Sequence, residues 1–504
     1  MAGHPAIDPK NMDINCRSRP AWKPATAQDS KLLFPPVGFL RTCFASVVVR
    51  VTKGFLFTAL VWLASQNAAA AAPVFNVLQY GAAGDGRAPD TAAIQRAIDA
   101  AAQVAGGAQV LVPRGHRFLV GTLELRAGID FHIDGEILIS TNKSDYRGEG
   151  VITALNAGHL RITGRGRING RSLAFMTNYD PVGEWWLFGP WRPKMFILTG
   201  CTNLEIRDIT FGDAPLWGLH MLGCKDVRID NVTVTNRMDV PNCDGIDPDH
   251  CQNVTIRHCH IRSGDDAIVL KTTRQTNDYG ACANITVSDC VLETQDSGLK
   301  IGTETTADIH DVVFERCKIL SGSRGLTIQL RDEGSVYNVQ FRDIQFVSRY
   351  YADPWWGRGE GISLTAIPRT AETKLGTIHD ITLQNIKGRA ENSVRIEGVA
   401  SSRIRNVLLE KVTVTFDRWT RYPGNVFDNR PTKVLAPIET HGTPGFCIRN
   451  ADDITLNQCS VKWGRHVPDY FTFALESEGT TNVRWSDFRG ESAHACRDAG
   501  ILNH

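Results

Sequence analysis

A short pattern of alternating hydrophobic and polar residues recurs along the middle of the chain. Each copy opens with Asn or Asp and continues with apolar residues at every second position, as in NVTIRHCHI from Asn253. The copies recur every 23 to 31 residues, beginning at Asn203, Asp226, Asn253, Asn284, Asp311 and Asn338. More widely spaced copies begin at Asp380, Asn406, Asp453 and Asn482. Strand-like alternation repeated at this period is typical of a stacked β-solenoid.

A second strand pattern lies between these copies and supports the same architecture. In it a small residue precedes an aliphatic one, in the segments WGLHML, DGIDPD, DAIVLK, SGLKIG, RGLTIQ and EGISLT. The aliphatic residues are Leu219, Ile246, Ile268, Leu299, Leu326 and Ile362. Two strands per coil, in register over consecutive coils, predict an all-β fold. We expect a single-stranded right-handed parallel β-helix with rungs about 4.8 Å apart.

One helix is predicted before the repeat begins. It starts near Asp90 or Thr91, and its apolar face carries Ala93, Ile94, Ala97, Ile98 and Ala101. Such a helix can cover one open end of a solenoid, so we expect an N-terminal capping helix.

The segment RVTKGFLFTALVWLASQNAAAAAP from Arg50 predicts a secretory signal peptide. It has basic residues, a short apolar run and then small residues, in the order that a cleaved signal requires. The run is too short to favour a retained membrane anchor. We therefore divide the chain into residues 1–72, an upstream extension plus signal peptide, and residues 73–504, the β-helix catalytic domain. We expect secretion or periplasmic export, with no membrane association after signal removal.

Charge and cysteine content narrow the possible partners. Lys plus Arg number 55 against 54 Asp plus Glu, and this balance gives no reason to expect a nucleic-acid partner. Eight of the thirteen cysteines occupy equivalent repeat positions: Cys201, Cys224, Cys251, Cys282, Cys259, Cys290, Cys317 and Cys459. Buried cysteines stacked between coils are favoured over disulfides. Without CxxC spacing, no metal site is predicted. We expect a monomer.

Candidate chemistry follows from the outward-facing positions of the second pattern. Residues that flank each inward aliphatic residue point outward together, because side chains alternate along a strand. The first outward row is Trp217, Asp244, Asp266, Ser297, Arg324 and Glu360; the second is His220, Asp247, Val269, Lys300, Thr327 and Ser363. Asp244 is thereby predicted to stack directly below Asp266, with Asp265 beside it in the chain.

Stacked carboxylates suit glycosidic bond hydrolysis. Like charges on adjacent rungs repel, so at least one carboxyl group should hold a proton near neutral pH. A glycosidase needs one carboxylic acid to protonate the leaving oxygen and one or two carboxylates to activate water. Turn capping is the alternative for any single aspartate, and we favour it for Asp249. His220 is either a packed neighbour or a substrate contact.

At these residues the chain resembles a known family. NCDGIDPDH followed by SGDDAIVLK is similar to the NTD and GDD motifs of the polygalacturonase-like glycoside hydrolases of family 28, which are right-handed parallel β-helices. FNVLQYGAAGDGRAPDTAAIQRAIDA, RPKMFILTGCTNL and APLWGLHML are also similar, so the resemblance extends from about Pro73 to Asn406. It implies inversion by single displacement, with Asp265 as general acid and Asp244 and Asp266 holding the attacking water.

The chain departs from that family at two motifs. Ser297 stands where the GHG motif has histidine, and Thr327, Ile328 and Gln329 stand where the family has RIK. The Arg and Lys of RIK bind the galacturonate carboxylate in the family. Either Lys300 and Arg331, on the groove-facing parity, replace those cations or the subsite takes a neutral sugar.

Tryptophans in long loops complete the candidate site. Exposed aromatic rings can stack on sugars, although Trp185, Trp186, Trp191, Trp355 and Trp356 could instead pack on the flank of the β-helix. The predicted substrate-binding residues are Asp247, His220, Lys300, Arg324, Arg331, Trp355, Trp356 and Glu360.

Three functions remain open from the sequence. The leading hypothesis is a glycosidase that hydrolyses a pectin-like or related polysaccharide without a cofactor. A polysaccharide lyase or uronate epimerase would instead use Lys300 and the aspartates in proton abstraction. A non-catalytic glycan-binding β-helix is disfavoured, because binding does not require crowded carboxylates.

Overall fold

The strands stack into a right-handed parallel β-helix, as the sequence predicts. The computed structural model describes residues 72–494 and 501–503. The predicted signal peptide and upstream extension, with Cys16 and Cys43, lie outside the described residues. The stacked coils have three strand-bearing faces, and each strand pairs in parallel with the equivalent strand of the next coil.

One of these faces, which we call the third face, carries the acidic segments. It forms a continuous sheet in which the strand order follows the chain. Its strands are Leu123–Leu125, Gly150–Leu155, Lys194–Thr199, Leu219–Leu222, Ile246–Asp249, Ile268–Thr272, Ser297–Thr305, Arg324–Leu330, Glu360–Ala366, Asn392–Glu397, Phe446–Arg449, Leu475–Glu478 and Ile501–Asn503. The small residue in each rung allows close coil contact. At Gly245, for example, an added Cβ would lie 2.3 Å from the Ala267 carbonyl oxygen.

The first face contains the strands of the predicted Asn or Asp repeat, preceded by four earlier strands. These are Val74–Asn76, Ala108–Val112, Ile129–Ile133, Arg161–Thr163, Thr202–Arg207, Lys225–Asp230, Gln252–Arg257, Cys282–Ser288, Ile309–Glu315, Val336–Arg342, Ile378–Ala390, Ile404–Phe416, Ala451–Asn457 and Thr481–Ser486.

The second face corrects the prediction of two strands per coil. Its strands are Asp85–Pro89, Arg117–Val120, Glu136–Ile139, Arg167–Asn169, Thr210–Gly212, Thr233–Thr235, His260–Ser263, Val291–Thr294, Lys318–Gly322, Gln345–Ser348 and Ser460–Trp463. Ile378–Ala390 and Ile404–Phe416 are long enough to pair on both faces. At the corner between the two faces a left-handed residue bends the chain, such as His258 at φ 54° where one predicted strand becomes two, or Asn385 at φ 55° within Ile378–Ala390.

The repeated Asn and Asp residues have a structural purpose near the start of ten first-face strands. All ten predicted repeat starts have positive φ, including Asn253 at 58° and Asn284 at 57°. Asn and Asp tolerate this region better than most residues. Their side chains also form a ladder, in which Asn253 Nδ2 donates to Asp226 Oδ1 at 2.9 Å and Asn284 Nδ2 donates to Asn253 Oδ1 at 3.1 Å.

Stacked apolar side chains fill the interior. Ile206, Ile229, Ile256 and Val287 pair in register on consecutive coils, and all are fully buried. Burying each such side chain contributes about 1.5–3 kcal/mol relative to exposure. The ten described cysteines are all buried, and the eight at the predicted repeat positions are among them.

The helix Thr91–Ala101 packs its predicted apolar face against the same core. Asp90 precedes the helix, but its carboxylate accepts hydrogen bonds from Ala83 N and Gly84 N, at 2.6 and 3.3 Å, instead of capping the helix. Short 3₁₀ helices span Val77–Tyr80, Lys143–Asp145 and Ser172–Phe175. Within the described residues, no helix has the length and apolar character to cross a membrane.

Two antiparallel hairpins leave the β-helix near the acidic segments. One pairs Met176–Asp180 with Trp185–Phe188, and the other pairs Val426–Asp428 with Ile438–Thr440. Glu184 of the first hairpin forms an ion pair with Arg421 and accepts a hydrogen bond from Tyr422 Oη at 2.6 Å. We call residues 176–188 and 418–440 together the arch.

Candidate active site

The third-face register places three aspartates together at one end of two neighbouring strands. Asp244 precedes Ile246–Asp249, and Asp265 and Asp266 precede Ile268–Thr272. Ile246 pairs with Ile268, and Gly245 N donates to the Asp266 carbonyl at 2.9 Å. Asp244 therefore lies directly beneath Asp266, as the outward-row analysis predicts.

The three carboxyl groups form a compact cluster. One carboxylate oxygen from each of Asp244, Asp265 and Asp266 lies within 4.8 Å of the other two. Asp244 and Asp266 are each 2% exposed, whereas Asp265 is less buried. Asn242 N and Asp266 N donate to the two Asp265 oxygens at 3.1 and 2.9 Å, which orients this carboxyl group.

Burial and mutual repulsion favour protonation within the cluster. Burial raises the pKa of Asp265 to about 7, and the carboxyl groups of Asp244 and Asp266 add to the shift. Burial and neighbouring Asp247 raise the pKa of Asp244 well above its ordinary value. The cluster therefore retains at least one shared proton near neutral pH.

Two lysines balance the remaining negative charge. Lys300 Nζ donates to Asp266 Oδ2 at 2.7 Å, and Lys271 Nζ lies 3.4 Å from Asp244 Oδ2. Burial alone would lower the pKa of Lys271, but Asp244 and Glu304 outweigh that effect and raise it well above its ordinary value. Both lysines are therefore held as ammonium groups. The three aspartates are close enough to share a cation, and these ammonium groups already occupy part of their coordination space.

The cluster opens into a pocket of about 360 Å³ with aromatic walls. Trp185, Trp217, Trp355 and Trp356 line it together with the aspartates. Trp185 and Trp355 meet edge to face with ring centroids 5.5 Å apart. Buried Trp355 Nε1 has no hydrogen-bond partner among the described residues. Carboxylates and aromatic faces in one small pocket suit a sugar, whose hydroxyls and C–H faces need both kinds of contact.

The structure brings three of the predicted substrate-binding residues to this pocket. Lys300, Trp355 and Trp356 all line it. Asp247 and His220 lie one layer behind: Asp247 is fully buried 3.9 Å from Lys271, and His220 Nε2 lies 3.1 Å from Asp249 Oδ2. Asp249 also accepts a hydrogen bond from Thr273 N at 2.9 Å. It therefore connects neighbouring coils and does not line the pocket.

The predicted groove positions of Arg324, Arg331 and Glu360 are wrong. All three are fully buried beneath the second hairpin of the arch. Arg324 Nη2 donates to the Asp428 carbonyl at 3.3 Å, and its Nε lies 3.7 Å from Glu360. Arg331 Nη1 donates to the Thr365 carbonyl at 3.2 Å. The outward parity is as predicted, but a distant loop covers these rungs.

Three charged pocket residues, Lys271, Asp296 and Glu304, were not predicted from the sequence. Lys271 follows the outward parity two residues beyond Val269, so extending the rows would have found it. Asp296 precedes Ser297 as Asp265 precedes Asp266 on the rung below, and burial raises its pKa to about 7. Glu304 lies near the end of Ser297–Thr305 and had no comparable sequence signal.

A larger cavity, of about 890 Å³, lies near the start of the described chain and lacks these features. Gln109, Asp130, His132 and Arg161 are among its lining residues, and Ala72 forms part of its edge. No cluster of carboxylates converges on it within the described range. The smaller aspartate pocket is therefore the candidate active site.

Comparisons with known proteins agree with this geometry. The family model described as glycosyl hydrolases family 28 matches residues 103–429, well over half of the chain. An exopolygalacturonase of Zea mays is 25% identical over 68% of this chain and 83% of its own length. A probable polygalacturonase of Vitis vinifera is 26% identical over 72% of this chain and 78% of its own length.

Solved structures share the fold at lower identity. The family 28 exopolygalacturonase of Yersinia enterocolitica superposes with a TM-score of 0.63 at 18% identity, covering 82% of this chain and 78% of its own. The exopolygalacturonase of Thermotoga maritima gives a TM-score of 0.56 at 23% identity, covering 68% and 87%. The matched family model, together with the β-helix and its relatives, assigns this chain to glycosyl hydrolases family 28, and the protein is a glycosidase.

Proposed function

We propose that the chain hydrolyses glycosidic bonds in a pectin-like polysaccharide or oligosaccharide, using Asp265 as general acid and Asp244 and Asp266 to hold the attacking water. The observation that carries this proposal is the cluster of three carboxyl groups at the base of an aromatic pocket. The names of the plant relatives, which are polygalacturonases, support the substrate class.

Exposure supports Asp265 as the proton donor. Asp265 and Asp244 both have raised pKa values, so the shifts alone do not separate an acid from a base. Asp265 is the less buried of the two and is therefore more accessible to a glycosidic oxygen. A pKa of about 7 keeps its proton available near neutral pH. Proton transfer to the leaving oxygen would then assist bond cleavage.

The other two aspartates are suited to positioning water. Asp244 Oδ1 is buried and has no hydrogen-bond partner among the described residues, so it can accept from a water in the pocket. Asp266 is held by Lys300 on the neighbouring rung. Water held between these two groups would attack the anomeric carbon while Asp265 protonates the departing sugar.

The arch favours action at a chain end. Its contacts between Glu184 and Tyr422 join two loops from distant parts of the sequence beside the pocket. The rungs beyond Lys300 are covered, since Gln329 Nε2 donates to the Arg430 carbonyl at 3.3 Å. The aspartate pocket has a volume of about 360 Å³, which is near the lower end of the range for ligand-binding pockets, about 300 to 1,000 Å³. We infer that the pocket accepts a terminal residue and releases short products.

The lyase or epimerase alternative is disfavoured by the state of Lys300. Burial would lower the pKa of this lysine, but Asp266 and Asp296 outweigh burial and raise it. A base must be deprotonated to abstract a proton, and Lys300 is instead held as an ammonium group by Asp266.

We also propose that residues 73–504 form the catalytic unit, that it acts as a monomer, and that the N-terminal segment directs secretion.

The proposal is tested by digesting a panel of plant-type glycans and identifying the products. We expect the wild-type protein to release single residues from chain ends, whereas Asp265→Asn should lose at least about 100-fold in rate without unfolding. Full activity of Asp265→Asn on a verified substrate would contradict its role. Early appearance of long oligomers would contradict cleavage at chain ends.

The same digestion, followed by NMR, gives the anomeric configuration of the product. Inverting glycosidases usually separate their carboxyl groups by about 6.5–9.5 Å and retaining enzymes by about 5–5.5 Å. The oxygens here lie within 4.8 Å, closer than the usual inverting spacing, so the distance does not by itself predict inversion. We expect inversion because the family resemblance implies it; a retained configuration would exclude single displacement.

A further inference from the structure

The pocket has an excess of acidic side chains. The charged residues that line it are Asp244, Asp265, Asp266, Asp296, Glu304, Lys271 and Lys300. Five carboxyl groups thus face two ammonium groups in the described pocket wall. Protonation of some aspartates reduces the negative charge, but it does not create a new cation.

Each lysine is already engaged by acidic partners. Lys300 Nζ is 2.7 Å from Asp266, and its side chain is 4% exposed. Lys271 Nζ lies 3.6 Å from Glu304, in addition to its contact with Asp244, and its side chain is 6% exposed. Lys271 Nζ also lies 4.5 Å from the centre of the Trp217 ring. The charge of each ammonium group is therefore already paired, so a further anion would have to share it with an existing carboxylate, although N–H donors remain for neutral acceptors.

Glu304 keeps its charge when the aspartate cluster takes up a proton. Burial would raise the pKa of Glu304, but Lys271 and Arg369 outweigh burial and lower it. Arg369 Nη2 lies 3.4 Å from Glu304 Oε1. The pairing of Lys271 therefore persists over the pH range in which the cluster acts.

The two arginines predicted for this groove, Arg324 and Arg331, do not line the described pocket. Arg324 lies 3.7 Å from both Glu360 and Asp428, and Arg331 is enclosed by backbone carbonyls. Arg324 Nη1 also lies 3.9 Å from Asp296 Oδ1 at the pocket wall, but both arginines are fully buried. A substrate carboxylate would therefore lose its hydration in a site whose lysines are already paired with carboxylates, without gaining an unpaired cation, which is unfavourable.

We propose that the residue bound beside the aspartate cluster is an uncharged sugar, not a uronate, and that paired Lys271 and Lys300 are not a carboxylate-binding site. This inference rests on the proposed hydrolysis at the same pocket. The tryptophan faces provide contacts for an uncharged sugar ring, while the carboxylates and lysines can bond its hydroxyls. Asp266 and Glu304, which already pair with the two lysines, then disfavour a uronate by repulsion.

The test uses α-linked oligosaccharides that differ in their terminal residue. One set ends in neutral hexoses or deoxyhexoses, and the matched set ends in the corresponding hexuronates. We expect kcat/KM to be at least about 100-fold higher for a neutral terminus, and the free hexuronate not to inhibit. Preferential release of a uronate would overturn this inference while supporting hydrolysis. Absence of hydrolysis across both sets would overturn the proposed function and this inference with it.

Charge variants test the cause of the discrimination. Glu304→Gln preserves side-chain size but removes a partner of Lys271, so the kcat/KM ratio should shift about 10-fold towards the hexuronate. Glu293→Gln is the matched control, because Glu293 lies on the second face and pairs with Arg262 at 3.5 Å. The control should leave the ratio unchanged. An unchanged ratio in folded Glu304→Gln would contradict the electrostatic explanation.

Discussion

At the scale of single residues, Asp244 and Asp265 have similar chemistry in different surroundings. Both belong to the same buried cluster, and burial raises the pKa of each. They differ in access: Asp244 is 2% exposed and lies against Lys271, whereas Asp265 is less buried and is oriented by backbone amides. Access to the leaving group, not the pKa shift, is therefore expected to decide which of the two carboxyl groups donates the proton.

Leaving-group chemistry distinguishes these two roles. Asp265→Asn should retain activity within about 10-fold on a glycoside with an activated aryl leaving group, but lose about 100- to 10,000-fold on a natural linkage. An activated leaving group needs little protonation, which explains the difference. Asp244→Asn should lose activity on both substrates because water activation remains necessary.

Steady-state rates for both substrates provide the measurement. Asp289→Asn is a suitable control, since Asp289 lies far from the pocket and pairs with Arg316 at 2.9 Å. Selective rescue of Asp244→Asn by the activated substrate would instead identify Asp244 as the acid.

At the scale of structural elements, the repeated Asn or Asp residue both turns the chain and joins coils. Asn253 has φ 58° and hydrogen bonds to Asp226 and Asn284 on the adjacent coils. An apolar replacement would lose these bonds and force a side chain with a Cβ to remain in the left-handed region. This position therefore contributes to stacking, even though it is exposed at the surface.

Asn253→Ala should destabilise the β-helix by about 1–2 kcal/mol. Urea denaturation monitored by circular dichroism measures the loss. Asn253→Gly should be less destabilising, because glycine adopts positive φ without the steric cost while still losing the ladder bonds. Equal stability of the alanine variant and the wild type would contradict a role for this position in coil stacking.

At the scale of the whole molecule, buried carboxyl groups make stability depend on pH. Burial raises the pKa of Asp247 to about 7, compared with about 3.9 in an unfolded chain. The folded state therefore binds the proton more tightly, and this contribution to stability is present below about pH 3.9 and is lost as pH rises through about 7. Asp428 has a lowered pKa and the opposite dependence, with its stabilisation lost at lower pH.

Comparison of Asp247→Asn with the wild type measures this effect together with the relief of neighbouring Asp244, whose pKa Asp247 raises. Both Asp247 oxygens are buried and have no hydrogen-bond partner among the described residues. The variant should have a Tm about 1–4 °C higher at pH 7.5, with the difference shrinking towards pH 5. Thermal scans at both pH values measure this, and a lower Tm for the variant at pH 7.5 would contradict the assigned cost of burying the charge.

The sequence by itself determined the β-helix and its register. Regular alternation fixed which residues face inward, and the equivalent small and aliphatic residues aligned successive coils. This alignment was sufficient to place Asp244 beneath Asp266. It missed the three-stranded coils, because the pattern continues through His258 although its left-handed backbone bends the strand.

The tertiary structure decided which outward residues reach the pocket. Arg324 and Lys300 have equivalent periodic signals, yet Arg324 is covered by a hairpin from about 100 residues later while Lys300 remains beside the aspartates. Periodicity describes neighbouring coils, which contact one another at fixed spacing. Periodicity carries no information about where the arch folds back onto the β-helix. The contact between the arch and the β-helix determines which charged side chains can reach the pocket.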